Sequence, residues 1–419
     1  MPPKNKFHIS RRELLQWSGG AALGLLASEL TGCAHFFSDR SPASNISSAG
    51  ISTSPDLTKT GFIVAKKSLD DAVDDKHLER RDNPGFAILA NFAGTDIKEI
   101  PLDFYFHQAT QNPQNIWQLF AVQKWGINAV CIDCRTQKVT KLSIPKDTLF
   151  FGHSALTPDG EFCLISSINY STSQGNILIY DTKTLQLVRI VPSHGACPHD
   201  IQLSLDQKSF FIMNTGYPPF ANDLVEFRNL KYEMSSFAQF DAKTFEFIGS
   251  RQINHPYNNG EKSRPYGHFL NIDDKNFVCL GTSDKGLALS FLKNDRLTNL
   301  DQDPIGKKIY GEALTVRRLP GTKALITMPD CARAVVVDFQ QEKVLKALHV
   351  THARSLVSHP DNEHFLISTS YKHMPGFLVY EDSTQSLHTG VPALASFQQA
   401  VEGHTPQGRH ATEIIWPFT

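Results

Sequence analysis

A turn-then-strand unit recurs along this chain, and repetition of that kind restricts the fold more than any other feature of its 419 residues. The unit reads Thr157-Pro-Asp-Gly-Glu-Phe-Cys-Leu-Ile-Ser, Leu205-Asp-Gln-Lys-Ser-Phe-Phe-Ile-Met, Ile272-Asp-Asp-Lys-Asn-Phe-Val-Cys-Leu, Leu319-Pro-Gly-Thr-Lys-Ala-Leu-Ile-Thr and His359-Pro-Asp-Asn-Glu-His-Phe-Leu-Ile-Ser. Turn-forming Pro, Asp, Asn and Gly lead into strand-forming apolar residues, so each copy predicts one hairpin. Later in each unit an apolar residue, an acid and a second turn follow, as in Ile179-Tyr-Asp-Thr-Lys-Thr, Gln239-Phe-Asp-Ala-Lys-Thr, Val337-Asp-Phe-Gln-Gln-Glu and Val379-Tyr-Glu-Asp-Ser-Thr. Cys131-Ile-Asp-Cys-Arg-Thr is an upstream copy.

The period is roughly 43 to 60 residues and amphipathic helix patterning is almost absent, which fits four-stranded blades arranged radially. Six units start near His107, His153, His199, His268, Glu312 and Arg354. A last strand, His410 to Trp416, begins a seventh unit that residues 85 to 93 complete. The expected fold is therefore all-β, a seven-bladed β-propeller whose first blade is closed by strands from both termini. Closure hides the edges that an open sheet exposes. A six- or eight-bladed count is the alternative. The segment from Tyr217 to Ser236, with Tyr217, Phe220, Phe227 and Tyr232, is a long insertion in the fourth unit.

Ahead of the repeats, Ser10-Arg11-Arg12-Glu13-Leu14-Leu15 runs into a soft apolar stretch ending at Leu30-Thr31-Gly32-Cys33. Paired arginines before such a stretch resemble the twin-arginine signal, which exports already folded chains. The stretch is rich in Gly and Ala and interrupted by Ser18, Ser28 and Glu29, whereas a membrane span needs about twenty apolar residues. Leu-Thr-Gly-Cys resembles a lipobox, with Cys33 as the lipidated residue. Ala34 follows it in place of the aspartate that retains lipoproteins at the inner membrane, which favours the outer membrane. The expected division is a signal with lipobox over residues 1–33, a flexible Ser-rich tether over 34–83 and a propeller over 84–419. The expected location is the periplasmic side of the envelope, with the lipid as membrane contact.

Charge is balanced, with 41 Lys and Arg against 42 Asp and Glu, so no basic surface points to nucleic acid. Six cysteines remain after Cys33. Cys131-x-x-Cys134 lies where a strand leaves into a turn, unlike the strand-to-helix junction of a redox pair, and is read as core plus turn. Cys163 and Cys279 fall in matching apolar strands and are expected to be buried thiols.

In a propeller the first strand of each blade lines the central channel. Aligning the units on their turns places His153, His268 and His199 at the opening end of that strand, with His107, Glu312, Arg354 and His410 at looser equivalents. Asn169, Asn214, Asp284, Asp330 and Tyr371 would surround them. Imidazoles from separate blades can converge on iron, copper or zinc, or act as acids and bases near neutral pH. They can equally satisfy neighbouring backbone groups. Ser193-His194-Gly195-Ala196-Cys197-Pro198-His199-Asp200 gathers two imidazoles, a thiol and a carboxylate in one loop. Arg264-Pro-Tyr-Gly-His268 and Glu402-Gly-His404 with Arg409-His410 are similar clusters. His359, His364 and His388 are expected to be ordinary surface residues.

Phe151-Gly-His-Ser-Ala-Leu-Thr-Pro-Asp-Gly and Ser193-His-Gly-Ala-Cys-Pro-His-Asp resemble motifs of a family of twin-arginine-exported propellers of unknown function. Its members are often encoded beside imelysin-type periplasmic iron-uptake proteins and di-haem oxidoreductase-like proteins. The resemblance covers about Gly85 to Trp416 and implies recurring roles for His153, His194 and His199. Cys197 stands where that family usually has glycine, and the lipobox departs from its ordinary signal. The resemblance implies an envelope role in iron or copper handling, with periplasmic iron-uptake proteins as partners, and no known reaction.

Three functions follow as expectations. The first is a transition-metal-binding or metal-delivering propeller using His107, His153, His194, His199, His268, His410 and Glu312. The second is a lactonase-type hydrolase relying on Glu312, Asn214 and Asp330. The third is an envelope scaffold presenting the aromatic insertion.

Overall fold

The acid-led turns are what cut this chain into strands. Asp181 Oδ1 accepts the backbone N–H groups of Lys183 and Thr184 at 3.0 and 2.7 Å. Asp241 does the same for Lys243 and Thr244, and Asp338 for Gln340 and Gln341. A carboxylate that satisfies two backbone donors fixes the reversal between the third and fourth strands of these blades. The earlier hairpin turn uses a hydroxyl as well: Thr157 Oγ1 donates to Asp159 Oδ1 at 2.6 Å, and Ser204 Oγ to Asp206 Oδ1 at 2.7 Å.

A computed structural model describes residues 57–67, 84–216, 234–253, 266–273, 275–282, 288–300, 302–369, 377–388 and 412–415. Their strands form seven antiparallel sheets, and no α-helix occurs among the described residues. The second blade runs from Gln108–Asn112 outward to Lys138–Lys141, the third from Thr148–Leu156 to Leu187–Pro192, and the fourth from Pro198–Leu203 to Phe247–Gln252. The fifth, sixth and seventh lead with Tyr266–Asp273, Thr315–Arg318 and Ala353–Ser358. Each leading strand touches the leading strand of the next blade, and Thr412–Ile415 touches both Ala353–Ser358 and Gln108–Asn112. The ring is thereby closed: the protein is a seven-bladed β-propeller.

The first blade corrects the expected boundaries. Its order from the centre is Thr412–Ile415, Thr60–Lys67, Gly85–Asn91 and Ile97–Leu102. Thr60–Lys67 lies inside the segment expected to be a tether, and the C-terminal strand pairs with it, Phe62 facing Glu413, not with residues 85–93. The run Phe62-Ile-Val-Ala65 is wholly buried between two neighbouring blades. A strand packed on both faces shows no alternation, so its short apolar run was lost among the surrounding Ser, Thr and Lys. Residues 1–56 and 68–83 lie outside the described residues.

Apolar side chains fill the spaces between blades. Leu164, Ile177 and Ile179 of the third blade pack with Phe210, Ile212, Ala238 and Phe240 of the fourth. Each such Leu, Ile or Phe contributes about 1.5–3 kcal/mol when fully buried. The closing strand is held by polar bonds too: Arg317 grips both carboxylate oxygens of Glu413 at 2.8 and 3.1 Å, and Ser358 N donates to Oε1 at 2.7 Å. Blades six, seven and one are tied through one side chain.

The cysteines behave as core residues. Cys131 and Cys134 belong to different apolar clusters, and all six described cysteines are free thiols. Burial pushes the Cys131 thiol up to about 11 and Cys134 up to about 12, which keeps both protonated near neutral pH.

Candidate metal centre in the propeller channel

Four histidines lie at matching positions on four consecutive blades, and a recurring irregularity aims three of them. The register between the first two strands shifts at residues 151–153, 199–200 and 267, so that extra residues appear beside His153, His199 and His268. Such bulges turn a side chain out of the normal pleat. His107 is placed by its own N–H, which donates to Val122 O at 2.7 Å just before Gln108–Asn112 begins.

Glycine supplies the room. Gly152 has φ +100°, and a Cβ there would lie 2.6 Å from Cδ2 of His107. At Gly267 a Cβ would lie 2.1 Å from Cγ2 of Thr282 and, next, 3.1 Å from Cδ2 of His199. The residue before His153 is thus small because the His107 ring lies over it, and the one before His268 chiefly because Thr282 does.

The four rings pack together. Centroids are 4.9 Å apart for His107 and His153, 4.4 Å for His153 and His199, 4.6 Å for His199 and His268, and 5.0 Å for His153 and His268. All are between 1 and 3 % exposed. His107 Nε2 and His153 Nε2 approach to 3.2 Å. His199 Nδ1 lies 3.0 Å from Phe151 O; a carbonyl can only accept, so Nδ1 carries the proton and Nε2 keeps its lone pair. That Nε2 is buried with no hydrogen-bond partner among the described residues.

In the sequence Asp200 is one member of the 193–200 loop; in the structure its carboxylate joins the cluster. Gln202 Nε2 and Phe269 N donate to its Oδ2 at 2.8 and 3.3 Å, while Oδ1 faces His153 Nδ1 at 3.4 Å. Burial pushes its carboxyl up to about 7, against those two bonds and Arg317. Lys124 is a further charged neighbour of the cluster. It sits in Lys124–Gly126, a short strand that leaves the second blade and pairs with the third beside Phe151, and it is 8 % exposed. Burial first, then Lys124, then the three other imidazoles hold His199 well below the ordinary histidine range, so it stays neutral. No sequence signal marks Lys124, because an edge strand crossing between blades has no counterpart in the repeat.

Two ligand triads result, His107 with His153 and His199, and His153 with Asp200 and His268. The other expected residues are elsewhere. His194 is exposed and stacks on Phe247 at 3.8 Å, so the structure does not bring it to the cluster. Cys197 is buried among Trp125, Leu149, Phe151 and Ile168. Glu312 belongs to neither triad, and its backbone N–H is bonded to Asp330 Oδ2 at 2.8 Å. Asn214 Nδ2 is engaged with Ser193 O and Ser236 Oγ, and Asn169 Oδ1 is bonded to Ser171 and Thr172. His410, Asp284, Tyr371 and the insertion at 217–233 lie outside the described residues.

His359 also departs from expectation. It is 4 % exposed, and its Nδ1 lies 2.8 Å from Asp361 Oδ2, with His364 Nδ1 at 2.7 Å from the same oxygen. His359 occupies the turn position that Thr157 and Ser204 hold in other blades, so its partner is a turn carboxylate.

Residues 100–290 match a family described as a protein of unknown function, DUF1513. That stretch contains all four clustered histidines and Asp200. No curated protein matches the sequence. Among solved structures, a candidate 6-phosphogluconolactonase from Bacteroides fragilis is similar with TM-score 0.54 and 10% identity, covering 86% of this chain and 99% of its own. A functionally unknown protein from Desulfotomaculum acetoxidans gives TM-score 0.47 and 12% identity, covering 77% of this chain and 92% of its own. At such identities the likeness concerns the fold alone.

Proposed function

We propose that this propeller binds a transition metal in its central channel, with His107, His153 and His199 as ligands, and serves metal handling in the cell envelope. One observation carries the reading: the His199 ring, fixed by Phe151 O, keeps a bare and buried Nε2 and packs against the imidazoles of His107 and His153, with a ligand atom of each of the three within 4.8 Å of the others. A carbonyl-held imidazole beside other nitrogen donors is how proteins prepare histidine for a metal. Neutral imidazole suits iron, copper and zinc, and the 3.2 Å between the Nε2 atoms of His107 and His153 is close to the spacing of two ligands on one ion. A bound ion would supply charge to the channel, and the chain's own groups would hold it and exclude water around it. The envelope location is supported by Arg11-Arg12 and by Cys33 in its lipobox, and periplasmic iron-uptake proteins are the proposed partners. The lactonase reading is less favoured by the geometry, since Asp330 Oδ2 is taken by the backbone N–H of Glu312 and Asn214 Nδ2 by Ser193 O and Ser236 Oγ.

The test is metal content and thermal stability of purified, chelator-stripped protein. Copper, iron or zinc is expected to raise Tm, by an amount equivalent to about 2.7 kcal/mol at a hundredfold excess over Kd, and His199→Ala is expected to remove the rise. No bound transition metal together with an unchanged Tm would overturn the reading.

A further inference from the structure

The two triads share His153, and they approach it from opposite sides of its ring. His107 meets Nε2 at 3.2 Å, and Asp200 Oδ1 meets Nδ1 at 3.4 Å. Asp200 divides its oxygens between separate tasks. Its Oδ2 is anchored by Gln202 and Phe269, which leaves Oδ1 turned to the imidazole.

A contact of 3.4 Å is long for an N–H···O bond, whose ordinary range ends at about 3.2 Å. It is, however, what a shared ion requires: two ligands each about 2.0–2.1 Å from one tetrahedral ion stand about 3.3–3.4 Å apart. His268 completes this side, its donor atom within 4.8 Å of those of His153 and Asp200. The set is two imidazoles and one carboxylate, all buried, a combination that suits divalent first-row metals.

We propose that the channel holds two metal ions bridged by the His153 imidazole. His107, His153 Nε2 and His199 Nε2 face the first; His153 Nδ1, Asp200 Oδ1 and His268 face the second. This rests on the metal-binding reading above and extends it from one ion to two. Binding of the second ion displaces the remaining N–H proton of His153 to solvent. The resulting imidazolate and the Asp200 carboxylate then supply two negative charges to a buried site, which offsets part of the cost of placing cations there. The positions in the fold are consistent with a bridge: His153 lies on the leading strand between the one that follows His107 and the one that carries Asp200.

Copper is the probe, because two Cu(II) ions joined by an imidazolate couple magnetically and lose EPR intensity. Metal-stripped protein is titrated with Cu(II), and bound copper is counted by elemental analysis beside the EPR signal. The native protein is expected to bind about two coppers with an EPR signal well below that of two isolated ions. Asp200→Asn is expected to bind one, at full signal for one ion, and His268→Gln provides the same reading if that variant does not fold. Saturation at a single copper in the native protein would overturn the bridge while leaving the metal-binding reading in place. An Asp200→Asn variant that weakens copper binding without lowering the count would do the same, since it would make Asp200 a positioning residue only. A protein that takes up no copper, iron or zinc would overturn both.

Discussion

At the scale of single residues, the channel shows how burial sets protonation. His199 is held below the ordinary histidine value of about 6.5, so acidification protonates the unfolded chain before the folded one and erodes stability. Asp200 acts in the opposite direction. Its folded value of about 7 lies above the unfolded carboxylate's, so between about pH 7 and pH 4 the folded state takes up a proton that the unfolded state does not, which adds stability as pH falls. The two partly offset each other in the metal-free protein. Asp200→Asn removes the compensating side, and the variant is expected to lose about 2 kcal/mol more than the native protein between pH 7.5 and 5. Urea melts at the two pH values measure this, and parallel losses would contradict the assignment.

At the scale of elements, the bulge and its glycine make the leading strands into ligand carriers. Gly152→Ala places a Cβ 2.6 Å from the His107 ring at a φ of +100°. Strain and displacement together are expected to cost about 1–3 kcal/mol and to weaken copper binding with it. Gly249→Ala is the control, because a Cβ there meets nothing within 4 Å. Equal effects from the two substitutions in thermal melts and copper titration would show that the glycine serves the strand and not the ring.

At the scale of the whole molecule, the propeller closes with strands from both ends of the folded region, Thr60–Lys67 and Thr412–Ile415. A chain exported by a folded-protein route would therefore carry a finished channel, together with any ion already in it. Cys33→Ser tests the anchoring half of that proposal. The native protein is expected in the membrane fraction of its cell and the variant in the soluble periplasmic fraction; native protein found soluble would refute lipid attachment.

The amino-acid order by itself determined the all-β repeat, the turns and the recurring histidines of the leading strands, because those depend on patterns that recur, whereas the count of seven blades was settled by the sheets. Asp and hydroxyl turn residues act on backbone donors a few positions away, and such local chemistry is visible in one dimension. His153, His199 and His268 were legible for the same reason, since each lies at the opening end of a leading strand when the units are aligned on their turns, with His107 at a looser equivalent. What depends on contacts between blades was not legible. Thr60–Lys67 earns its place by pairing with a strand from the far end of the chain, His194 is drawn away by Phe247, and Lys124 arrives on a strand borrowed from a neighbouring blade. Only the tertiary structure decided that Asp200 turns one oxygen to His153, and that two triads meet on a single imidazole, because a bulge that shifts register by one residue changes which ring nitrogen faces which neighbour.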